Sequence, residues 1–81
     1  PFNPETTIAY SVKDRCKVLL EVYNLKGQRV RTLVDAEKTN GHYTVVFNAR
    51  DDKGNALSSG IYFYRLQAGN YVSTRKMLLM E

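Results

Sequence analysis

Apolar and polar residues alternate with a period of two along most of the chain. The alternation is clearest over residues 7–12, 16–23, 42–48 and 61–68. A period of two puts every second side chain on one face of a strand, so these segments are predicted to be strands with one face toward a core. The predicted inward sets are Ile8, Tyr10 and Val12; Cys16, Val18, Leu20 and Val22; Tyr43, Val45 and Phe47; and Tyr62, Tyr64 and Leu66.

Two further segments carry a weaker pattern. Residues 28–34 are predicted to be a strand, but the spacing of Val30 and Leu33 breaks the period of two and indicates a bulge or an end to pairing. Residues 71–80 are predicted to be the last strand, although apolar and charged residues occur on both of its faces and assign neither inward. The polar stretch 35–41 leaves open one additional short edge strand.

Turn signals separate these strands at short intervals. Gly27 follows Asn24 where a tight hairpin is expected, residues 50–55 are rich in Asp, Asn and Gly, and Gly69 precedes Asn70. No stretch repeats apolar positions at the helical spacing of three and four. The pattern therefore predicts an all-β, mainly antiparallel sandwich or small barrel of six or seven strands.

Length and charge narrow the class of protein. Eighty-one residues, 43% of them hydrophobic, fit one small domain over 1–81 with a single core. The net charge of +4 is modest and its basic residues are dispersed, which disfavours a nucleic-acid binder. No apolar run is long enough for a membrane span. Cys16 is the only cysteine, so no internal disulfide can form, and its parity with Val18 predicts a core position.

Candidate chemistry is sparse. His42 is the only histidine and no Gly-x-Ser-x-Gly motif occurs, so a Ser-His-Asp triad is not expected and the chain is predicted to be no enzyme. Asp51, Asp52 and Asn55 could offer oxygen ligands to calcium, but three or four such ligands fall short of the six to eight that calcium takes. A turn in which these side chains bond the local backbone is the favoured interpretation. No cofactor is predicted.

Four segments, in order, resemble the C-terminal sorting domains of the type IX secretion system. They are NPETTIAY at 3–10, LEVYNLKGQRV at 20–30, SSGIYFYRL at 58–66 and TRKMLL at 74–79. The Ig-like domain of the flagellar hook-capping protein shares much of this pattern. The resemblance implies an Ig-like antiparallel β-sandwich, the C-terminal module of a larger exported bacterial protein.

The resemblance also implies a function and a site. Gly60 and Tyr62 match the Gly-x-Tyr motif of the sorting domains and Lys76 matches their first terminal lysine; Met80 stands where a second lysine often occurs. The implied partners are the outer-membrane translocon, a sortase-like protease and an upstream cargo domain. The implied location is the cell surface or the medium, reached through the periplasm of a Gram-negative bacterium. The final strand is predicted to be the surface that a receptor reads.

Two other functions stay open at this point. One is a structural Ig-like spacer or assembly domain of the hook-cap type. The other is a module that binds carbohydrate or calcium, for which the exposed tyrosines, expected at Tyr23 and Tyr71, and the 50–55 turn are the candidates.

Overall fold

The computed structural model describes residues 5–80 and contains six strands. They are β1 (Thr6–Val12), β2 (Cys16–Tyr23), β3 (Arg29–Lys38), β4 (Gly41–Phe47), β5 (Gly60–Ala68) and β6 (Tyr71–Leu79). The described residues contain no helix, and hence none that could cross a membrane. The opening of the segment predicted to resemble a sorting domain, at 3–4, lies outside the described residues.

All the strand pairs are antiparallel and form two sheets. One sheet has two strands, β1 and β4, and the other has four in the order β3-β2-β5-β6. The prediction of an all-β antiparallel sandwich is confirmed. The two sheets are unequal in width, and this inequality decides which surfaces stay accessible.

The core lies between the sheets and uses the predicted inward faces. Val18, Leu20 and Val22 of β2 are 0% exposed, as is Phe47 of β4. Each such side chain contributes roughly 1.5–3 kcal/mol relative to an exposed one. The remaining buried apolar residues are Ile8, Tyr10, Val12, Ala49, Tyr62, Leu66 and Leu79. Cys16 packs half-buried at the edge of this core and is a free thiol.

Of the two outcomes predicted around Val30 and Leu33, a bulge or an end to pairing, the structure has bulges. Leu20 pairs with Val34 while Glu21 pairs with Thr32, so Leu33 is passed over, and a second register shift passes over Val30. An extra residue on one strand lets two neighbouring side chains turn toward the same layer. Val30 and Leu33 both pack half-buried against the core, which explains their broken period.

Two ambiguities of the sequence are resolved by strand pairing. Residues 35–38 continue β3 and Gly41 begins β4, so no separate strand occupies this stretch and the described chain has six strands, not seven. β6 pairs with β5 so that Tyr62 lies opposite Met77 and Leu66 opposite Ser73. Cross-strand partners share a face, so the inward set of β6 is Tyr71, Ser73, Arg75, Met77 and Leu79.

Candidate interaction surface

Tyr62, the aromatic residue of the predicted motif, is a structural side chain. It is 6% exposed, and its hydroxyl donates a hydrogen bond of 2.8 Å to the carbonyl of Ser58. The predicted inward position of Tyr62 is confirmed, and its buried hydroxyl has a backbone partner, as buried tyrosines usually do. Gly60 begins β5 with a φ of 149°, in the region that favours glycine. A bend at Gly60 thus turns the chain so that Tyr62 enters the core.

Lys76 lies on the other face of the sheet from Tyr62. It pairs with Phe63 on β5, whereas Tyr62 pairs with Met77, so the lysine points away from the core and is exposed. The structure therefore does not bring Gly60, Tyr62 and Lys76 into one surface patch. Only Lys76 is placed where a partner could read its side chain.

The 50–55 turn uses its carboxylates internally. One oxygen of Asp51 accepts bonds from the backbone N–H groups of Lys53, at 2.9 Å, and of Asn55, at 2.8 Å. These bonds, first that from Asn55, lower the pKa of Asp51 below its ordinary value. Asp52 accepts a bond of 3.0 Å from the N–H of Thr32 on β3. The arrangement is the backbone-bonded turn, and it fastens the loop to β3.

No metal centre emerges from the described part of the chain. Among residues 5–80, no group of three or more His, Cys, Asp or Glu side chains is arranged to hold an ion. His42 lies exposed at the start of β4, where its Nδ1 is 2.8 Å from the hydroxyl oxygen of Ser11 on β1. This pair joins the two strands of the narrow sheet on their outer face.

The outer face of the wide sheet carries a buried carboxylate that the sequence pattern does not predict. Glu21 is only 7% exposed; it accepts a bond of 2.8 Å from the Tyr23 hydroxyl and lies 3.3 Å from the guanidinium of Arg29. The bond to Glu21 raises the pKa of Tyr23. Tyr23 is half-buried and not exposed as predicted, whereas Tyr71 is 59% exposed. A Tyr two residues from a Glu on one strand face was the available signal.

A cleft of about 1110 Å³ lies between the two sheets. Its walls are β1, over Ile8–Val12, and the inward faces of β5 and β6. Tyr10, on the β1 wall, stacks on Tyr43 with ring centres 5.4 Å apart, and its burial, followed by the nearby Tyr43, raises its pKa. The narrow sheet stops at β1, so no described strand covers the first half of β6 from the core side.

Comparison with known proteins places this fold. The family model described as the FlgD Ig-like domain matches residues 5–71, so its match ends where β6 begins. The crystal structure of FlgD from P. aeruginosa superposes with a TM-score of 0.72 at 18% sequence identity, over 94% of this chain and 61% of that chain. This chain thus spans about six-tenths of the FlgD chain it resembles. No curated protein matches the chain.

The comparisons support one of the two resemblances seen in the sequence. The family that matches is the hook-cap one, and none of the comparisons supports the sorting-domain identity. The match covers 67 of the 81 residues, counted from 5 to 71, which is well over half of the chain. The chain belongs to the FlgD Ig-like domain family.

Proposed function

We propose that this chain is a non-catalytic assembly domain, a rigid Ig-like sandwich that holds protein components together as a hook-cap domain does. Family membership over residues 5–71 is the observation that carries the proposal. Fold alone does not assign function, so the surfaces of the domain must supply the rest.

The side chains support a binding role more than a chemical one. The carboxylates of Asp51 and Asp52 bond to backbone N–H groups, and the hydroxyl of Tyr62 bonds to a carbonyl. These polar groups hold the fold in shape. What remains accessible is the cleft and the outer strands, which are surfaces suited to another protein.

Sorting and anchoring of an exported cargo protein is the second candidate. It is favoured by the position of β6, an edge strand that pairs only with β5 among the described strands and presents Lys76 to solvent. In this function the partners are the outer-membrane translocon, a sortase-like protease and an upstream cargo domain, and the protein reaches the cell surface through the periplasm.

Deletion of the coding segment for residues 5–79 from its gene separates the two functions. For an assembly domain, we expect the shortened protein to reach its normal compartment but to elute from a sizing column without its complex. For a sorting domain, the shortened protein should stay in the periplasm. Elution in an intact complex would refute the assembly proposal.

A gain-of-function experiment supplies the matching control. A fluorescent protein with an export signal is joined to the start of this chain in a cell that has a type IX system. The assembly proposal predicts that fluorescence stays in the periplasm, as it does for the reporter alone. Transfer of the reporter to the surface, abolished by removal of residues 74–81, would favour sorting.

A further inference from the structure

Within residues 5–80, the sandwich is narrower in one sheet than in the other. Four strands face two, and the inward face of β2 is fully covered whereas that of β6 is not: Leu20 is 0% exposed, but Tyr71 is 59% exposed. Sheets that pack face to face bury their inner faces against each other. The cleft is therefore the space that one more strand beside β1 would occupy.

The edge of β1 is suited to accept such a strand. Among the described strands β1 pairs only with β4, so one row of its backbone N–H and C=O groups has no strand partner. None of its seven residues, Thr6–Val12, is charged. Natural sheet edges are commonly protected by charges, bulges or prolines, and an unprotected edge is a template for pairing.

β6, the other edge at the cleft, also pairs with only one described strand, but it differs from β1 in charge. Its middle carries Arg75 and Lys76, which protect it against pairing. A strand added beside β6 would widen the four-stranded sheet outward and leave the cleft open. A strand added beside β1 would cover the partly exposed Tyr64 and the exposed Tyr71 from the core side, since both lie on the inward face in the register of β5 and β6.

The size and charge of the cleft indicate what kind of strand fits. At about 1110 Å³ it exceeds the usual 300–1000 Å³ of small-molecule pockets. Its charged lining residues are Lys13, Arg75 and Asp14, and none of them forms an ion pair with another residue in the range 5–80. Arg75 lies on the inward face, opposite Tyr64. The lining is net positive, and so is the whole chain at +4.

We propose that β1 accepts an extended, acidic segment of a partner protein as a third strand of the narrow sheet. The segment alternates apolar and polar residues, its apolar side chains cover Tyr64 and Tyr71, and one inward carboxylate pairs with Arg75. Main-chain hydrogen bonds give the affinity and the inward side chains give the specificity. This inference rests on the proposed assembly function and names the chemistry of its partner.

The first test uses a synthetic peptide as long as β1. Its inward positions are two valines and one glutamate, and its outward positions are threonines. We expect saturable binding by calorimetry, with the β1 amide protons becoming protected from exchange in NMR spectra. A peptide with lysine in place of the glutamate should bind roughly tenfold more weakly, since it brings like charges together. Equal binding of both peptides, or no binding, would overturn the proposal.

A charge-reversal pair on β6 tests the role of Arg75. Arg75→Glu should lower affinity for the glutamate peptide about tenfold and restore binding of the lysine peptide. Lys76→Glu makes the same change in charge on the opposite face and should leave both affinities unchanged. Circular dichroism checks that both variants are folded. Equal effects of the two substitutions would show attraction to overall charge and contradict a cleft site.

Backbone pairing is tested with N-methylated peptides. Methylation of one alternate set of amides removes the donors that face β1 and should abolish binding, whereas methylation of the other set should not. If neither set matters, the peptide is not an added strand. Sedimentation without peptide tests whether the chain forms a dimer. If it does, and the β1 amide protons are protected from exchange in that dimer, a second copy is the occupant and the proposal is wrong.

The same variants separate this inference from the proposed function. If deletion of 5–79 disrupts the complex but Arg75→Glu in the otherwise intact protein does not, assembly stands and the cleft is not its docking site. If the deletion leaves the complex intact, the assembly function itself fails, whatever the peptides do.

Discussion

The two sides of the sandwich end in different ways. On the side of β3, which we call the closed side, Arg31 donates hydrogen bonds of 3.2 Å to the side chain of Asn48 and 3.0 Å to the carbonyl of Arg50. The N–H of Thr32 bonds to Asp52, whose own N–H bonds to the carbonyl of Val30. On the open side, where β1 and β6 border the cleft, no such bridge joins the two sheets among the described residues.

This difference shows how a small sandwich can keep one side accessible. A loop of polar residues after β4 supplies about four hydrogen bonds to β3, each contributing on the order of 1 kcal/mol. The open side lacks them, and apolar side chains such as Tyr71 and Tyr64 stay partly exposed there. The closed side thus has polar bridges that the open side lacks among the described residues, and the open side is available for a partner.

The largest expected effect is in the core. Phe47→Ala removes a side chain that is 0% exposed and should lower the free energy of unfolding by about 3–5 kcal/mol. Tyr71→Ala, on the open side, should cost less than about 1 kcal/mol, because that ring is already 59% exposed. Urea unfolding measures both. Val46→Ala, at a 55% exposed position beside Phe47, is the control and should change little. Equal losses for Phe47 and Tyr71 would show that the cleft is closed.

The second-largest loss of stability is expected at Tyr62, which we compare with Tyr71 in the same β5–β6 hairpin. Tyr62→Phe removes the hydroxyl that bonds to Ser58 and should destabilise the domain by about 1 kcal/mol. Tyr71→Phe, for which no hydrogen bond to a described side chain or carbonyl is present, should have no measurable effect. Thermal unfolding of the two variants gives the comparison. An unchanged melting temperature for Tyr62→Phe would show that the hydroxyl bond does not stabilise the hairpin.

The sequence predicts the faces of the strands better than it predicts the cleft. Period two identifies the inward faces of β1, β2 and β5 because apolar residues in each of these strands concentrate on one face. The irregular spacing of Val30 and Leu33 even locates the bulges. The cleft is not predictable in this way, since it depends on the narrow sheet having only two strands. The faces of β6 follow only from its register with β5, and the burial of Glu21 only from the approach of Arg29.

A smaller effect is expected where the loop is fastened to β3. Asp52→Ala removes the acceptor of the Thr32 N–H and the charge 3.9 Å from Arg31, and should cost about 0.5–1 kcal/mol. Asp52→Asn keeps an oxygen acceptor and should recover most of that loss. Asp14→Ala at the cleft is the open-side control, and urea unfolding should show no change for it. A loss for Asp14→Ala as large as that for Asp52→Ala would erase the contrast between the two sides.

The smallest effect is a pH dependence of the turn that carries Asp51. Because backbone N–H groups stabilise its carboxylate, the pKa of Asp51 is lower in the folded chain than the ordinary 3.8. A carboxyl group with a lowered folded pKa contributes stability that is present above the unfolded pKa and lost as pH falls through the folded one. The amide resonances of Lys53 and Asn55 should therefore titrate with a midpoint below 3.8.

Asp51→Asn separates this titration from the shape of the turn. The amide oxygen of Asn can still accept the N–H bonds of Lys53 and Asn55, so the turn should keep its resonance pattern at neutral pH. Without an ionisable group, the pH shift of those two amides should disappear, while cleft resonances such as that of Ser73 behave as in the unaltered chain. A midpoint at or above 3.8 in the unaltered chain would mean that the N–H groups of Lys53 and Asn55 do not stabilise the ionised carboxylate of Asp51. The hydrogen bonds of Asp52 would then be what fastens the 50–55 turn to β3.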